Sequence, residues 1–136
     1  MERLVPITAV YAGLLAIVLF VLSLRVIGVR RQAKVAVGDQ GNATLLRRMR
    51  AHANFAEYVP YCLVLMGLAE SLRAPPLVLH GLGAALLVGR LLHAYGISQT
   101  NEKLWLRVTG MAITFTVLLT GALLSLALAI PRLPVL

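Results

Sequence analysis

Arg50, Asn54, Glu57 and Tyr61 recur at spacings of four, three and four. On a helix such residues share one face, because positions three and four apart stack above one another. Tyr58, four beyond Asn54, flanks this stripe, and Pro60 lies within it. Proline removes an amide donor and crowds the carbonyl four residues back, here that of Ala56, so a kink is expected just past Glu57. Arg90 and His93, three apart, form a second polar pair later in the chain. Guanidinium groups match carboxylates in bidentate geometry, and a carboxylate such as Glu57 takes an ammonium. A ligand with carboxylates at its ends and an amine between them fits this inventory. Phospholipid head groups fit it as well.

These groups sit in a greasy chain. Hydrophobic residues make up 60% and charged residues 13%, with a mean hydropathy of +0.86. A soluble domain is nearer half apolar and a quarter charged. Too little polar surface remains to coat a water-soluble globule, which leaves an integral membrane protein. The formal net charge of +8 does not signal a nucleic-acid partner, because most of the basic residues fall between positions 25 and 50, beside an apolar run. That arrangement marks a cytoplasmic loop next to lipid. Cys62, the single cysteine, lies in an apolar run and reads as a packing residue, with no internal disulfide or cysteine-based metal site to form. His52 and His93 lack a third ligand at metal spacing, so no metal site is expected.

The elements that must position the polar groups are four helices in one domain, 1–136, with spans at about 4–28, 51–72, 75–96 and 105–130. The run 4–24 carries no charge and is long enough, at about 1.5 Å per residue, to cross a ~30 Å hydrocarbon core. Its leading residues are barely basic and its positive charge comes afterwards, so it reads as a retained helix and not a cleaved signal. Gly38, Asp39, Gly41 and Asn42 spell a loop, and helical character resumes near Ala43 with basic first turns. Pro75 and Pro76 open the third helix, and Gly96 is expected to cap its end. Residues 98–103 form a polar loop, and Pro131 and Pro134 stop the fourth helix. Gly81, Ala85 and Gly89 form a small-residue stripe suited to close helix packing in lipid.

The fold class is thus an all-α integral membrane four-helix bundle. Arg30, Arg31, Lys34, Arg47, Arg48, Arg50, Lys103 and Arg107 fall on one side, against Arg3, Arg73 and Arg132 on the other. That bias makes the first and third loops cytoplasmic and puts both termini on the non-cytoplasmic side. Glu57 and Arg90 lie at matching depths on antiparallel neighbours and are expected to pair. Each is costly in lipid, about 2.5–3.5 kcal/mol for a charged residue at a helix centre.

The segment 50–60, reading RAHANFAEYVP, is similar to the R-A-x-x-N-x-x-E-Y-x-P signature of the MAPEG family, membrane-associated proteins in eicosanoid and glutathione metabolism. The stretch 90–96, RLLHAYG, resembles that family's third-helix R-x-x-H/Y motif. Length, four spans, the basic first loop and the double arginine after the first helix extend the resemblance over nearly the whole chain. It implies a homotrimer of four-helix bundles in a bacterial inner membrane, resembling microsomal glutathione transferase. Glutathione, as cosubstrate, is held between protomers near the cytoplasmic face. By position, Arg50, His52, Asn54, Glu57, Tyr58, Arg90 and His93 match its ligand positions, and Arg30 or Arg31 reaches in from a neighbour. The implied reaction is thiolate attack on, or reduction of, a lipophilic electrophile arriving from the bilayer. The alternative is a non-catalytic member that binds or presents a lipid. Family members place an arginine at the start of the fourth helix to stabilise the thiolate. Here that register falls on Leu104, between Lys103 and Arg107. Arg107, at the head of the apolar run, is the choice, with Lys103 the alternative. A second third-helix tyrosine found in several members is replaced by Ile97.

Overall fold

The computed structural model describes residues 5–134 and contains four antiparallel helices: α1 Pro6–Ala33, α2 Ala43–Ser71, α3 Pro76–Ser98 and α4 Leu104–Ala129. A 3-10 turn, Ile130–Arg132, follows α4. Leu4, at the start of the first expected span, and Arg3, counted in the charge bias, lie outside the described residues.

Each helix end has a local cause. Pro6 fills the first turn of α1, where its missing amide costs nothing. The next two amides are capped from outside the helix: Ile7 N–H and Thr8 N–H donate to Glu70 Oε1 and Oε2 at 2.9 and 2.8 Å. At the far end Lys34 turns left-handed (φ 54°), and the Lys34 and Val35 amides donate back to the Arg31 and Arg30 carbonyls. Gly38 and Gly41 supply the positive φ of the loop that follows. Asn42 caps α2, its Oδ1 accepting from Leu45 N–H at 2.9 Å. Pro60 does not interrupt α2, which stays helical through Ser71.

Three helices, α1, α3 and the segment Leu104–Arg132, are long and apolar enough to cross a membrane. α2 is as long as they are and packs against all three, but Arg47, Arg48, Arg50 and Glu57 lower its hydropathy. The core is a continuous seam of Leu15, Leu22, Phe55, Val59, Met66, Leu86 and Val117. Packing is densest between α3 and α4. They cross at Gly89 and Gly110, where a Cβ on Gly110 would sit 2.5 Å from the Gly89 carbonyl oxygen and 2.6 Å from the His93 nitrogen. The approach is closed to any larger residue. Of the expected small-residue stripe only Gly89 sits at such a crossing, since a Cβ on Gly81 would meet open space.

Gly96 is not the cap of α3. The helix runs on to Ser98 with Gly96 buried inside it, because a Cβ there would lie 2.8 Å from the Arg107 nitrogen. The glycine serves the close passage of the first turn of α4, not a left-handed turn.

Candidate functional site

From Ala51 on, the buried positions of α2 (Ala51, Phe55, Val59, Cys62, Met66 and Ala69) follow a three-to-four spacing that fixes which face looks inward. At about 100° per residue, Glu57 lies two steps past Phe55, on the opposite side of the helix. Arg50, Glu57 and Tyr61 are exposed on that outer face, and Asn54 is half-buried at its inner edge.

This geometry corrects the expected ion pair. Arg90 is fully buried and points into the seam, away from Glu57. Its Nη2 donates to Asn54 Oδ1 at 2.7 Å, and its Nη1 to Thr114 Oγ1 at 3.3 Å and Met111 Sδ at 3.5 Å. The guanidinium also lies 5.6 Å from the centre of the Phe55 ring, a distance at which the ring face attracts a cation. The depths of Glu57 and Arg90 match, but their directions do not. Among the described residues the ion pairs are Arg47–Glu102 and Arg107–Glu102, and Glu57 makes neither a hydrogen bond nor an ion pair.

Arg90 nevertheless acts on the outer stripe. By holding the Asn54 carbonyl oxygen it fixes the orientation of that amide, so the NH2 end is the one left for another partner. Thr114 completes the network by donating to the Gly110 carbonyl at 2.8 Å. Tyr58 is half-buried and meets the Phe115 ring of α4 edge-on, with centroids 5.4 Å apart.

A second set gathers at the basic end, around the start of α4. His93 is buried, and its Nδ1 lies 3.1 Å from the Arg107 carbonyl oxygen. A carbonyl only accepts, so Nδ1 carries the proton, and Nε2 is left buried without a partner. The Arg107 side chain leans the other way and donates to Glu102 Oε1 at 2.6 Å, and Glu102 Oε2 accepts from Arg47 at 3.3 Å. The Arg107 and Arg47 hydrogen bonds hold the Glu102 carboxyl below its usual range. Arg107 remains 44% exposed, so its guanidinium is open to a further partner, and Lys103 beside it is exposed at the N-cap of α4.

The other expected site residues hold the first loop and its helix or stand free. Arg30 closes the loop by donating to the Gly38 carbonyl at 2.9 Å, and its Nη2 lies 3.3 Å from Met49 Sδ. His52 is joined to Ser23 of α1 at 3.0 Å. Arg31 and Arg50 are exposed. The chain thus brings Asn54 to Arg90 and His93 to Arg107, and leaves Arg31, Arg50 and Glu57 facing outward.

Beside the stripe lies an apolar hollow of about 230 Å³ between α1 and α2, with Phe55, Ala56, Val59 and Pro60 on one wall and Ala12, Leu15, Ala16 and Leu19 on the other. Thr114, Phe55, Ser23 and Glu102 are partners that sequence reasoning did not single out. Thr114 had a signal, because Gly110, Thr114, Val117 and Gly121 recur at spacings of four, three and four and form the buried face of α4.

The MAPEG family profile matches residues 8–127. The chain is 38% identical over 120 residues to the protein titled inner membrane protein YecN of Escherichia coli strain K12, covering 88% of this chain and 90% of that one. YecN of Escherichia coli O6:H1 matches with the same identity and coverage.

Proposed function

The chain belongs to the MAPEG family and is a multi-pass integral membrane protein, and from that premise we propose that it is a glutathione-dependent transferase or peroxidase acting on lipophilic electrophiles. The observation that carries this reading is Glu57: an exposed carboxylate about four turns into α2, with no partner among the described residues. A charge facing hydrocarbon at such a position costs about 2.5–3.5 kcal/mol, so something outside the protomer covers it. A peptide ammonium answers Glu57, and a peptide carboxylate answers Arg50. The Asn54 amide, oriented from behind by Arg90, adds a donor. A neighbouring protomer in a homotrimer closes the outer face and brings Arg31 toward it. The likeness to YecN supports an inner-membrane location, and the arginine-rich loop supports a site near the cytoplasmic side.

In this reading Arg107 lowers the pKa of the glutathione thiol by placing positive charge beside the developing thiolate. The thiolate forms a C–S bond to the electrophile, the leaving group departs with its bonding electrons, and the thiol proton passes to water. The apolar hollow between α1 and α2 receives the electrophile from the bilayer. Incubation with glutathione and an aryl halide tests the reading: product is expected to form faster than in protein-free solution and to saturate with glutathione. No rate above the uncatalysed one, together with a monomer in detergent, would contradict it.

A further inference from the structure

On the far side of the α1–α2 contact a cavity of about 200 Å³ is lined by Arg25, Gly28, Val29 and Gln32 of α1 and Arg48 of α2. We propose that it holds the phosphate of an anionic phospholipid in the leaflet on the basic side of the membrane. This is independent of the glutathione reading, which uses neither arginine.

Two guanidinium groups line one small cavity, and among the described residues neither side chain makes a hydrogen bond or an ion pair. Arg48 Nε and Nη1 are buried without an acceptor. Arg48 is half-buried, and a cation partly withdrawn from water and left unpaired is unfavourable; no carboxylate lines the cavity to answer it. The missing component is an anion. Phosphate suits it, because two arginines offer planar donor pairs to its oxygens.

Depth separates a lipid from free phosphate. Arg25 is the first charge after the apolar run of α1, about 29 Å along the helix from Pro6 at 1.5 Å per residue, which places it where a ~30 Å hydrocarbon core ends. Below it, Leu14 and Val21 continue the same side of α1 and are exposed, a track for an acyl chain. Above it, Val29 and Gln32 are shared with a second hollow that reaches Asn42 and Thr44, where polar head-group atoms meet polar side chains.

The test is native mass spectrometry of the detergent-purified protein with phosphatidylglycerol or phosphatidylcholine added. The wild type is expected to retain phosphatidylglycerol in preference. Arg25→Ala and Arg48→Ala are each expected to lose about fivefold of that retention, whereas Arg31→Ala, which removes an exposed charge from the same rim, changes it by less than about twofold. Should the alanine variants fail to fold, Arg25→Lys/Arg48→Lys carries the test, because it keeps the charge and removes the planar fork; it is expected to lose most of the preference. Equal retention of both lipids, an equal loss in Arg31→Ala, wild-type retention in the lysine pair, or displacement by millimolar inorganic phosphate would each overturn the proposal.

Discussion

Two carboxylates on α2 meet opposite fates. Glu70, at the end where the chain turns toward α3, is consumed within the protomer: both oxygens accept amides from the first turn of α1. Glu57, on the same helix, accepts nothing from the described residues. The arginines repeat the contrast: both terminal nitrogens of Arg90 are held inside the seam by Asn54 and Thr114, beside the Phe55 ring, with Nε left over, while Arg50 stands exposed. Polar groups that the chain pairs for itself maintain the bundle, and under the proposed function those it leaves open are where a neighbour or ligand belongs.

The contrast can be broken by mutation. Arg90→Ala should have the largest effect, about 3–5 kcal/mol of lost stability, because it empties a buried site and strands the Asn54 carbonyl oxygen; an unchanged unfolding midpoint in detergent would remove Arg90 from the structural set. Arg107→Ala should lower conjugation about a hundredfold while keeping most glutathione binding, since its charge acts on the thiolate, and turnover equal to wild type would clear Arg107 of that role. Glu70→Gln should cost about 1–2 kcal/mol in a thermal melt, since a neutral amide answers the two α1 amides less well; it should leave glutathione affinity unchanged.

The smallest effect concerns Glu102. Its folded pKa lies below the ordinary carboxylate value, so the stability it contributes is complete above that value and is lost as pH falls through the lowered one. Glu102→Gln should therefore flatten the acid limb of a plot of melting temperature against pH and leave the neutral region nearly unchanged. An identical acid limb would show that the Arg47–Glu102–Arg107 bridge does not persist in solution.

Much of this was legible in the sequence. Helix number and order, the restart of helix near Ala43, the proline-marked turn before α3 and the sharing of one α2 face by Arg50, Asn54, Glu57 and Tyr61 follow from periodicity, turn residues and hydropathy. The expected Glu57–Arg90 pair does not form, because matching depth brings two side chains together only when their azimuths match as well. The buried seam through Phe55 and Val59 decides the direction, and Glu57 lies opposite it. A glycine near a helix end signals a cap, but Gly96 answers the Arg107 backbone of another helix, 2.8 Å from where a Cβ would sit, which no local pattern contains. The Glu102 bridge joins side chains 55 and 5 residues away in sequence, and only the fold brings the first of them close.

The central claim is that Glu57 is left unpaired by its own chain in order to receive the amine of glutathione. Calorimetric titration of glutathione into the purified wild type and Glu57→Gln tests it most directly. The account predicts saturable binding by the wild type and an affinity at least about tenfold weaker in the variant, whose melting temperature stays close to that of the wild type. Equal affinity in the two proteins, or no heat from the wild type at millimolar glutathione, would contradict it.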